Sequence, residues 1–325
     1  MKHPGFVDIQ QNGYIGVNFS SMDLTLEKVR AVTRYLAKAG TTAYCPTVCT
    51  GPMDMYCRNL PILAAAMRDK ELKPHLLGIH MEGPFISPIE GARGAHPPEH
   101  IIKPDVETFK RFQEWAEGRI VLLTLAPEVE GALPLISYAS TNGTVVSFGH
   151  HLADDNVMEA AVQAGARLCT HLGNGMPNMI NRHQNPLWWQ LACDDLSSIF
   201  ITDGHHLPAD FIKVALRAKT IKRFIVVSDA TDVGGLKPGV YHFQDHEVVL
   251  EPSGRIGFKD TPYLAGSSAT MLQCMNFLAS LNLLTEKELW TVGHDNPLRL
   301  LGRRLNRQPA DTPSVVFKNN RFALA

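Results

Sequence analysis

The stretch VVSFGHH (145–151) begins with two β-branched valines, is apolar except for Ser147 as far as Phe148, and stops abruptly on two histidines. A second stretch, RLCTHLGNGMP (167–177), repeats the pattern, because His171 stands where its apolar run gives way to Gly and Asn. A buried β-strand explains the apolar half of each stretch. The histidines that end the strands are then candidates for a functional site.

Short apolar runs rich in Val, Ile, Leu and Thr recur along the chain, with longer amphipathic stretches between them, which is typical of βα units and a parallel sheet. The sequence predicts eight strands, at 5–10, 41–47, 75–82, 120–127, 144–150, 167–172, 198–204 and 224–230. It predicts helices at 26–40, 154–166, 207–219, 267–281, 285–293 and 295–303.

Eight strands, each followed by a crossover, predict an α/β fold of the (β/α)₈ TIM-barrel type, with its active site at the C-terminal ends of the strands. A doubly wound open sheet is the alternative, but no GxGxxG motif opens the first crossover. Turn residues after the eighth strand indicate a β-hairpin excursion at about 236–266, and a short β tail is expected at about 314–325. We expect one domain over residues 1–325.

Composition excludes several classes of partner. The chain has 325 residues, and 31 Lys and Arg against 32 Asp and Glu give a formal charge of −1. No global field attracts nucleic acid or an anionic membrane, so neither is an expected partner. No apolar run approaches the ~18 residues of a membrane span, and the N-terminus has no signal-peptide pattern. We therefore expect a cytoplasmic protein with six free thiols.

Polar residues stand at the C-terminal ends of most predicted strands. Ionisable side chains are rarely buried unless they are paired or bound to a metal, so several that converge on one barrel mouth need a common explanation. In chain order they are Gln10, Asn12, Thr47, Glu82, His150, His171, Asp203, His205, His206 and Asp229.

A catalytic metal site is the explanation that the residue types favour. Two histidines, one carboxylate and a water form a known zinc shell, and Glu82, His150 and His171 could provide it if their strand ends face one pocket. The ion would lower the pKa of its water to roughly 7, and Asp229 could pass a proton to a leaving group. Each residue alone also has a structural interpretation: a hydrogen-bonded histidine, a helix-capping Glu82 or an Asx turn at Asp229.

Six ordered motifs resemble those of the N-acetylglucosamine-6-phosphate deacetylase family, in the amidohydrolase superfamily. They are HMEGPFISPIEGARGAHPPEH (80–100), FGHHLADD (148–155), THLGNGMPNMINR (170–182), DGHH (203–206), VSDATDVGGLKPGVY (227–241) and LAGSSATM (264–271). The likeness runs from about residue 4 to residue 302. It implies hydrolysis of the acetyl amide of an amino-sugar phosphate with one divalent ion, expected to be Zn²⁺.

The resemblance also implies roles for single residues. Glu82, His150 and His171 match the family's metal ligands. Asp229 matches its catalytic acid/base, and His96 matches a residue that polarises the acetyl carbonyl. The positions that match substrate-binding residues are Ala95, Asn174, Gly175, Arg182, Asp203, His206, Leu264, Ala265 and Gly266.

The phosphate end of the site follows from the same resemblance. Asn174 and Gly175 match positions whose backbone amides meet the sugar phosphate, and a nest of such amides is a known anion site. Arg182 matches an arginine that reaches the phosphate of a neighbouring subunit, which implies a homodimer. Judged without the resemblance, Asn174 would be a turn residue and Arg182 a solvated loop residue.

The sequence departs from the family pattern in three places. Gln10 and Asn12 stand where many amidohydrolases have an HxH pair for a second metal, and amides are poor zinc ligands, so we expect one metal. RHQNPLWWQ (182–190) replaces the usual acidic-Pro-Gly segment. Its Trp188 and Trp189 could stack on a sugar, but burial of a crossover helix is the preferred interpretation. The family's small β domain is expected to be absent or reduced.

Alternative functions remain open at this point. The changed 182–190 segment is compatible with another N-acetylated substrate, such as N-acetylgalactosamine-6-phosphate or an unphosphorylated N-acyl compound. A deaminase or cyclic-amide hydrolase is disfavoured by DGHH and THLGNGMP, and a non-catalytic binding barrel by the intact set of candidate ligands. His151 and His205 receive no role.

Overall fold

A computed structural model describes residues 2–243, 246–261, 263–305, 309 and 312–325. The strands within these ranges are, in chain order, β1 (Lys2–His3), β2 (Phe6–Gln11), β3 (Gly13–Tyr14), β4 (Val17–Asn18), β5 (Thr41–Cys49), β6 (Ile79–Glu82), β7 (Ile120–Leu125), β8 (Val145–Phe148), β9 (Leu168–Cys169), β10 (Ser197–Ile201), β11 (Phe224–Val227), β12 (Gly239–Phe243), β13 (His246–Leu250), β14 (Ile256–Phe258), β15 (Val315–Lys318) and β16 (Arg321–Leu324).

The α-helices of the same ranges are α1 (Leu26–Lys38), α2 (Met53–Ala66), α3 (Val106–Trp115), α4 (Ala132–Thr141), α5 (Asp155–Gln163), α6 (Pro186–Ala192), α7 (Ala209–Arg223), α8 (Met271–Ser280), α9 (Glu286–Trp290) and α10 (Asn296–Leu300). A 3₁₀ turn lies at Pro98–His100 and a π-helical turn at Thr291–Asp295. Among the described helices, none is both long enough and apolar enough to cross a membrane.

Eight strands form one parallel sheet in the order β2-β5-β6-β7-β8-β9-β10-β11. A parallel bridge between Gln11 and Ala230 joins its first and last strands, and the Asp229 amide donates to the Gln10 carbonyl at 3.0 Å. The sheet therefore closes. Because each of these strands is followed by one of the helices α1 to α8, the predicted (β/α)₈ barrel is confirmed.

The barrel strands stop earlier than the sequence predicts at the positions that matter for function. β8 ends at Phe148 and β9 at Cys169, because the chain then turns into the left-handed region. The φ angles are 54° at His150, 28° at His171 and 50° at Asp229. Non-glycine residues rarely adopt such angles, and backbone strain of this kind is concentrated at functional sites.

Apolar side chains pack on both faces of the barrel sheet, inside the barrel and between its strands and helices. Side chains such as Ile9, Leu122 and Ile199 fill the interior, and a larger cluster lies between strands and helices. Helix α1 shows why the amphipathic pattern works: Val29, Val32 and Leu36 share its buried face, and the Thr25 side chain caps its first turn by accepting from the Lys28 amide.

Three smaller antiparallel sheets accompany the barrel within the described residues, and the shortest of them is the pair β3 and β4. β12, β13 and β14 form an antiparallel sheet within the expected excursion, of which residues 244–245 and 262 lie outside the described residues. The excursion contacts the barrel mouth, since Ser253 O is 3.2 Å from His205 Nε2. β15 and β16 form a hairpin within the expected tail, and β15 also pairs with β1. The extent of the single domain stays a prediction.

Asp8 joins the two strands at which the barrel closes. Its side chain is fully buried and accepts hydrogen bonds from the Gln10 amide and from the Ser228 amide and hydroxyl. Burial raises the pKa of Asp8 to about 7, although those hydrogen bonds oppose the rise. The neutral acid is therefore the form that the folded barrel favours.

We expect Asp8→Asn to remove a pH dependence of stability. A carboxyl whose pKa is raised by folding contributes most below its unfolded pKa, near 4, and loses that contribution as the pH rises through about 7. The free energy of unfolding of the wild type should thus fall relative to that of Asp8→Asn, by at most ~1.4 kcal/mol per pH unit. Denaturant unfolding of both proteins between pH 4.5 and 8 measures this, and a constant difference would contradict it.

Candidate active site

Glu82, His150 and His171 meet at the C-terminal mouth of the barrel. The Nε2 atoms of His150 and His171 lie 3.1 Å and 2.9 Å from Glu82 Oε1, and 3.1 Å from one another. All three side chains are buried. Their strands are separated along the sequence, but parallel strands deliver their C-terminal ends to the same edge of the barrel. The structure therefore brings the three predicted ligands together, as a group that could hold one metal ion.

The donor set fits a divalent cation. Burial by itself raises the pKa of Glu82, but the hydrogen bonds from His150 and His171 outweigh it and hold the pKa well below its usual range. At His171, burial lowers the pKa, and the bond to Glu82 more than reverses this. A proton shared between the buried carboxylate and the two imidazoles supplies the positive charge that a bound cation would otherwise supply. A cation bound by two neutral imidazoles and a carboxylate would satisfy the same groups.

The orientation of His150 is fixed from its other side. Its Nδ1 lies 2.9 Å from the carbonyl oxygen of Ala92, so Nδ1–H donates there and the Nε2 lone pair is left for a metal. Two glycines press against the ring: a Cβ on Gly94 or Gly175 would come within 3.0 Å of His150. Both have positive φ angles, so these close approaches depend on the absence of a side chain.

Asp229 is held near the cluster by Asn12. The Asn12 amide donates to Asp229 Oδ1 at 2.7 Å, and the Cys49 thiol contacts both Asn12 Oδ1, at 3.3 Å, and Glu82 Oε2, at 3.7 Å. Burial, and next the charge of Glu82, raises the pKa of Asp229 to about 6. Such a carboxyl can exchange a proton near neutral pH.

His96 packs edge-on against His150, with ring centroids 4.4 Å apart. Burial, and then the neighbouring His150, lowers its pKa to about 3, so the ring is neutral at pH 7. Its Nδ1 lies 2.8 Å from the Thr50 hydroxyl. If Thr50 donates in this bond, the proton of His96 is on Nε2, which can then donate to a ligand.

Asp203 and His206 form a second polar pair at the mouth. Asp203 Oδ1 accepts from the amides of His205 and His206, while Oδ2 lies 2.8 Å from His206 Nδ1. Burial raises the pKa of Asp203, but the bond to His206 dominates the remaining effects and brings it to about 2. The paired carboxylate thus fixes the His206 ring and leaves its Nε2 for another partner.

The other predicted substrate residues surround the ligand group. The Asn174 side-chain amide is buried without a hydrogen-bond partner in the described part of the chain, and Gly175 lies against His171. Gly266 lies against Thr231, and the amide of Ser267 donates to the Asp229 carbonyl. These contacts place Leu264, Ala265 and Gly266 beside the end of β11. Ala95 is half-buried directly before His96.

The loop that carries Arg182 differs from the rest of the mouth by its exposure. Arg182 is exposed, and its guanidinium has no ion pair within the described ranges. Met179 is 89% exposed and Trp188 53% exposed. The expected burial is thus wrong for Trp188, whose indole N–H donates to the Arg182 carbonyl at 3.0 Å because α6 turns that face outward. Trp189 packs against the core as expected.

The two unassigned histidines have structural contacts. His151 is buried and points toward the barrel wall, with its ring against Phe148 and its Nδ1 accepting from the Ala153 amide. Burial lowers the pKa of His151 to about 4. His205 contacts the excursion as described above. Neither belongs to the group that could hold a metal ion.

Sequence reasoning missed the residues that support the ligands. The sequence pattern does not mark Cys49, Thr50 or the Ala92 carbonyl, and it presents Gln10, which donates to Glu82 Oε1 at 3.0 Å, only as a poor metal ligand. The signal for Cys49 was its position on β5, which continues two residues beyond the predicted end and places Cys49 opposite Glu82 in the sheet.

Comparison with known proteins gives a consistent set of relatives. No protein-family model matches the chain. N-acetylglucosamine-6-phosphate deacetylase of Bacillus subtilis (strain 168) is 32% identical over 302 residues, covering 92% of this chain and 75% of the relative. The Bos taurus protein of the same name is 34% identical over 314 residues, 92% of this chain and 74% of its own. The crystal structure of the Mycobacterium smegmatis enzyme superimposes with a TM-score of 0.87 at 27% identity, covering 100% of this chain and 85% of that one.

Proposed function

This chain belongs to the N-acetylglucosamine-6-phosphate deacetylase family, and from that premise we propose that it hydrolyses the acetyl amide of N-acetylglucosamine-6-phosphate. The products are glucosamine-6-phosphate and acetate. The bond that breaks is a linear amide C–N bond, and water supplies the new hydroxyl of acetate and the proton of the amine.

One observation carries the proposal. Glu82, His150 and His171 converge within hydrogen-bond distance of one another, and a second carboxylate, Asp229, is linked to that group through Asn12 and Cys49. A metal site beside a carboxyl with a near-neutral pKa is the arrangement that metal-assisted amide hydrolysis requires.

The steps follow from the positions of the side chains. Glu82, His150 and His171 would hold one divalent ion, for which Zn²⁺ suits the two nitrogens and one oxygen, and which when bound supplies Lewis acidity and activates water. Asp229 takes the proton of the attacking water and delivers it to the amide nitrogen as the C–N bond breaks. Asn12 holds Asp229 Oδ1, so the other carboxylate oxygen does this.

His96 acts on the acetyl carbonyl. With its Nδ1 bonded to the Thr50 hydroxyl, its Nε2–H donates to the oxygen on which negative charge develops. Burial and the neighbouring His150 lower the pKa of His96 and keep its ring neutral. The group that donates is therefore an imidazole and not an imidazolium.

His96→Ala should lower kcat by roughly 10²–10³-fold and change KM much less, because the interaction strengthens only as the oxyanion forms. His183→Ala, at an exposed histidine of the 173–185 loop, is the control and should keep wild-type kcat. Steady-state kinetics of both variants measure this. A loss expressed in KM alone would show that His96 binds the substrate without stabilising its transition state.

The phosphate is bound at the other end of the site. Gly175 offers its backbone amide to the phosphate and Asn174 offers its side-chain amide, because the Asn174 backbone amide already donates to the His171 carbonyl at 2.9 Å. His206 binds the substrate, and Arg182 reaches the phosphate in the neighbouring subunit of a homodimer. A guanidinium can bind a phosphate through two hydrogen bonds. The exposed Met179 side chain and the exposed guanidinium of Arg182, which has no ion pair within the described residues, support an intersubunit role.

Arg182→Ala should raise KM for N-acetylglucosamine-6-phosphate by roughly 10-fold or more, the effect of losing one charge-assisted contact. The same change should leave kcat/KM for unphosphorylated N-acetylglucosamine unaltered. Arg217→Ala, on the exposed face of α7, removes the same charge elsewhere and serves as the control. An equal effect on both sugars would remove Arg182 from the phosphate site.

The direct test is acetate release by the Zn²⁺-loaded protein from three sugars: N-acetylglucosamine-6-phosphate, N-acetylgalactosamine-6-phosphate and N-acetylglucosamine. We expect the highest kcat/KM for the first, with one amine formed per acetate. A higher kcat/KM for either other sugar would reassign the substrate, and no acetate release from any of the three would favour a non-catalytic binding protein.

The six cysteines are unpaired in the structure, which agrees with a cytoplasmic location.

A further inference from the structure

A cavity of 670 Å³ lies at the end of the barrel opposite to the ligand group. Its walls come from the residues that lead into β6 and β7, such as Gly78 and Arg119, and from the chain just after α10. Glu82, at the far end of β6, belongs to the other mouth. The cavity is therefore separate from the proposed active site, and its volume is in the range of small-molecule sites.

Positive charge is concentrated around this cavity. Its lining includes four cationic side chains, Lys73, Arg119, Arg303 and Arg304, and one carboxylate, Glu117. Four positive charges against one negative give a local excess of three in a chain whose formal charge is −1. Such a concave positive surface attracts anions.

Three of the four cations are unpaired within the described part of the chain. Lys73, Arg303 and Arg304 have no ion-pair partner within the ranges that the structure describes. Glu117 is shared with Arg68 outside the cavity, and its Oε2 is 3.8 Å from Arg119 Nε, too far for a hydrogen bond. Arg119 Nε is nevertheless buried and has no hydrogen-bond partner in the described part of the chain. A buried donor without an acceptor is costly unless a ligand supplies one.

Arg303 reaches the underside of the barrel. Burial raises the pKa of the Cys45 thiol inside the barrel, and the charge of Arg303 is close enough to oppose that rise. Apolar side chains line the rest of the cavity, among them Met67, Leu77 and Val121. The wall thus offers charge for an anionic group and an apolar surface for the remainder of a molecule.

We propose that this cavity binds a phosphorylated small molecule, with the phosphate groups contacted by Lys73, Arg119, Arg303 and Arg304. Arginine forks bind phosphate oxygens through paired hydrogen bonds, and several phosphate charges match an excess of three positive charges better than a single carboxylate does. The site is distinct from the one that holds the sugar phosphate during deacetylation, and the proposal does not depend on that function.

The test is calorimetric titration with inorganic pyrophosphate and with adenosine 5′-diphosphate at low salt. We expect the double variant Arg303→Gln/Arg304→Gln to bind pyrophosphate about 10-fold or more weakly than the wild type, as lost charge-assisted bonds predict. The control is Arg111→Gln/Arg217→Gln, which removes the same charge from exposed positions on α3 and α7 and should bind like the wild type. Arg182→Ala, which alters only the proposed active site, should also retain this binding.

Several outcomes would overturn the proposal. They are absence of binding to the wild type, equal losses in the pocket and control variants, or loss in Arg182→Ala, which would assign the binding to the active site. Lys73→Gln provides a milder second pocket variant, and melting temperatures without ligand show whether each variant is folded. Adenosine diphosphate should bind more tightly than pyrophosphate if the apolar wall contacts it, and weaker binding would remove that wall from the site.

Discussion

Asp229→Asn should retain the bound metal and lose deacetylation by roughly 10³-fold or more in kcat, near the upper range for general acid–base catalysis. The exchange keeps the size of the side chain and the Oδ1 that accepts from Asn12. What it removes is the oxygen able to take a proton from water and return it to the amide nitrogen. Metal content is preserved because Asp229 is not one of the three residues that gather around Glu82 Oε1.

Asp232→Asn is the matched control for this variant. Asp232 lies three residues further along the same loop, and burial raises the pKa of its carboxyl as well. The control removes the same charge from the same region without touching the Asn12 contact, so it should remain within a few-fold of wild-type kcat. Metal content and steady-state kinetics on all three proteins measure both effects. Wild-type turnover by Asp229→Asn would end the proton-transfer assignment.

The sequence predicts the barrel because its two periodicities are both strong. Runs such as 120–127 are apolar except for Thr124, as buried parallel strands largely are, and helices such as α1 repeat their apolar residues every three or four positions. The ends of β8 and β9 were less predictable. Left-handed turns at His150 and His171 set their last residues, and histidine, although enriched in that region, adopts it too rarely for the sequence to predict the turn.

The candidate ligands could be predicted to meet for a topological reason. Strands of a parallel barrel end at one mouth, so polar residues at those ends are neighbours whatever their separation along the chain. Their supporting contacts depend on register, which sequence patterns do not specify. Cys49 reaches Glu82 because the two are opposite each other in β5 and β6, and Asn12 reaches Asp229 only because the barrel closes between β2 and β11.

The exposure of Trp188 was mispredicted for a related reason. A seven-residue helix such as α6 has little apolar periodicity, so the sequence does not say which of two adjacent tryptophans faces the core. Asn185 caps the helix by accepting from the Leu187 and Trp188 amides, and this start point sets the rotation that packs Trp189 partly buried against the core and leaves Trp188 at the surface.

Glu82→Gln should abolish metal binding and, with it, activity. Three donors converge on Glu82 Oε1, from Gln10, His150 and His171, and the charge of that oxygen is what holds them there. A neutral amide is a poor ligand for Zn²⁺. The loss of affinity should exceed ~100-fold, since that is already the upper range for losing an outer-shell partner.

The consequence can be measured without an activity assay. A ligand that binds only the folded state raises the melting temperature, so Zn²⁺ should stabilise the wild type and not Glu82→Gln. Glu90→Gln, at an exposed position eight residues further on, is the charge-matched control and should respond to Zn²⁺ as the wild type does. Metal analysis after dialysis gives the stoichiometry, expected to be one per chain in the wild type. A Zn²⁺ response of Glu82→Gln equal to that of the control would place the ion on other residues and separate it from His150 and His171.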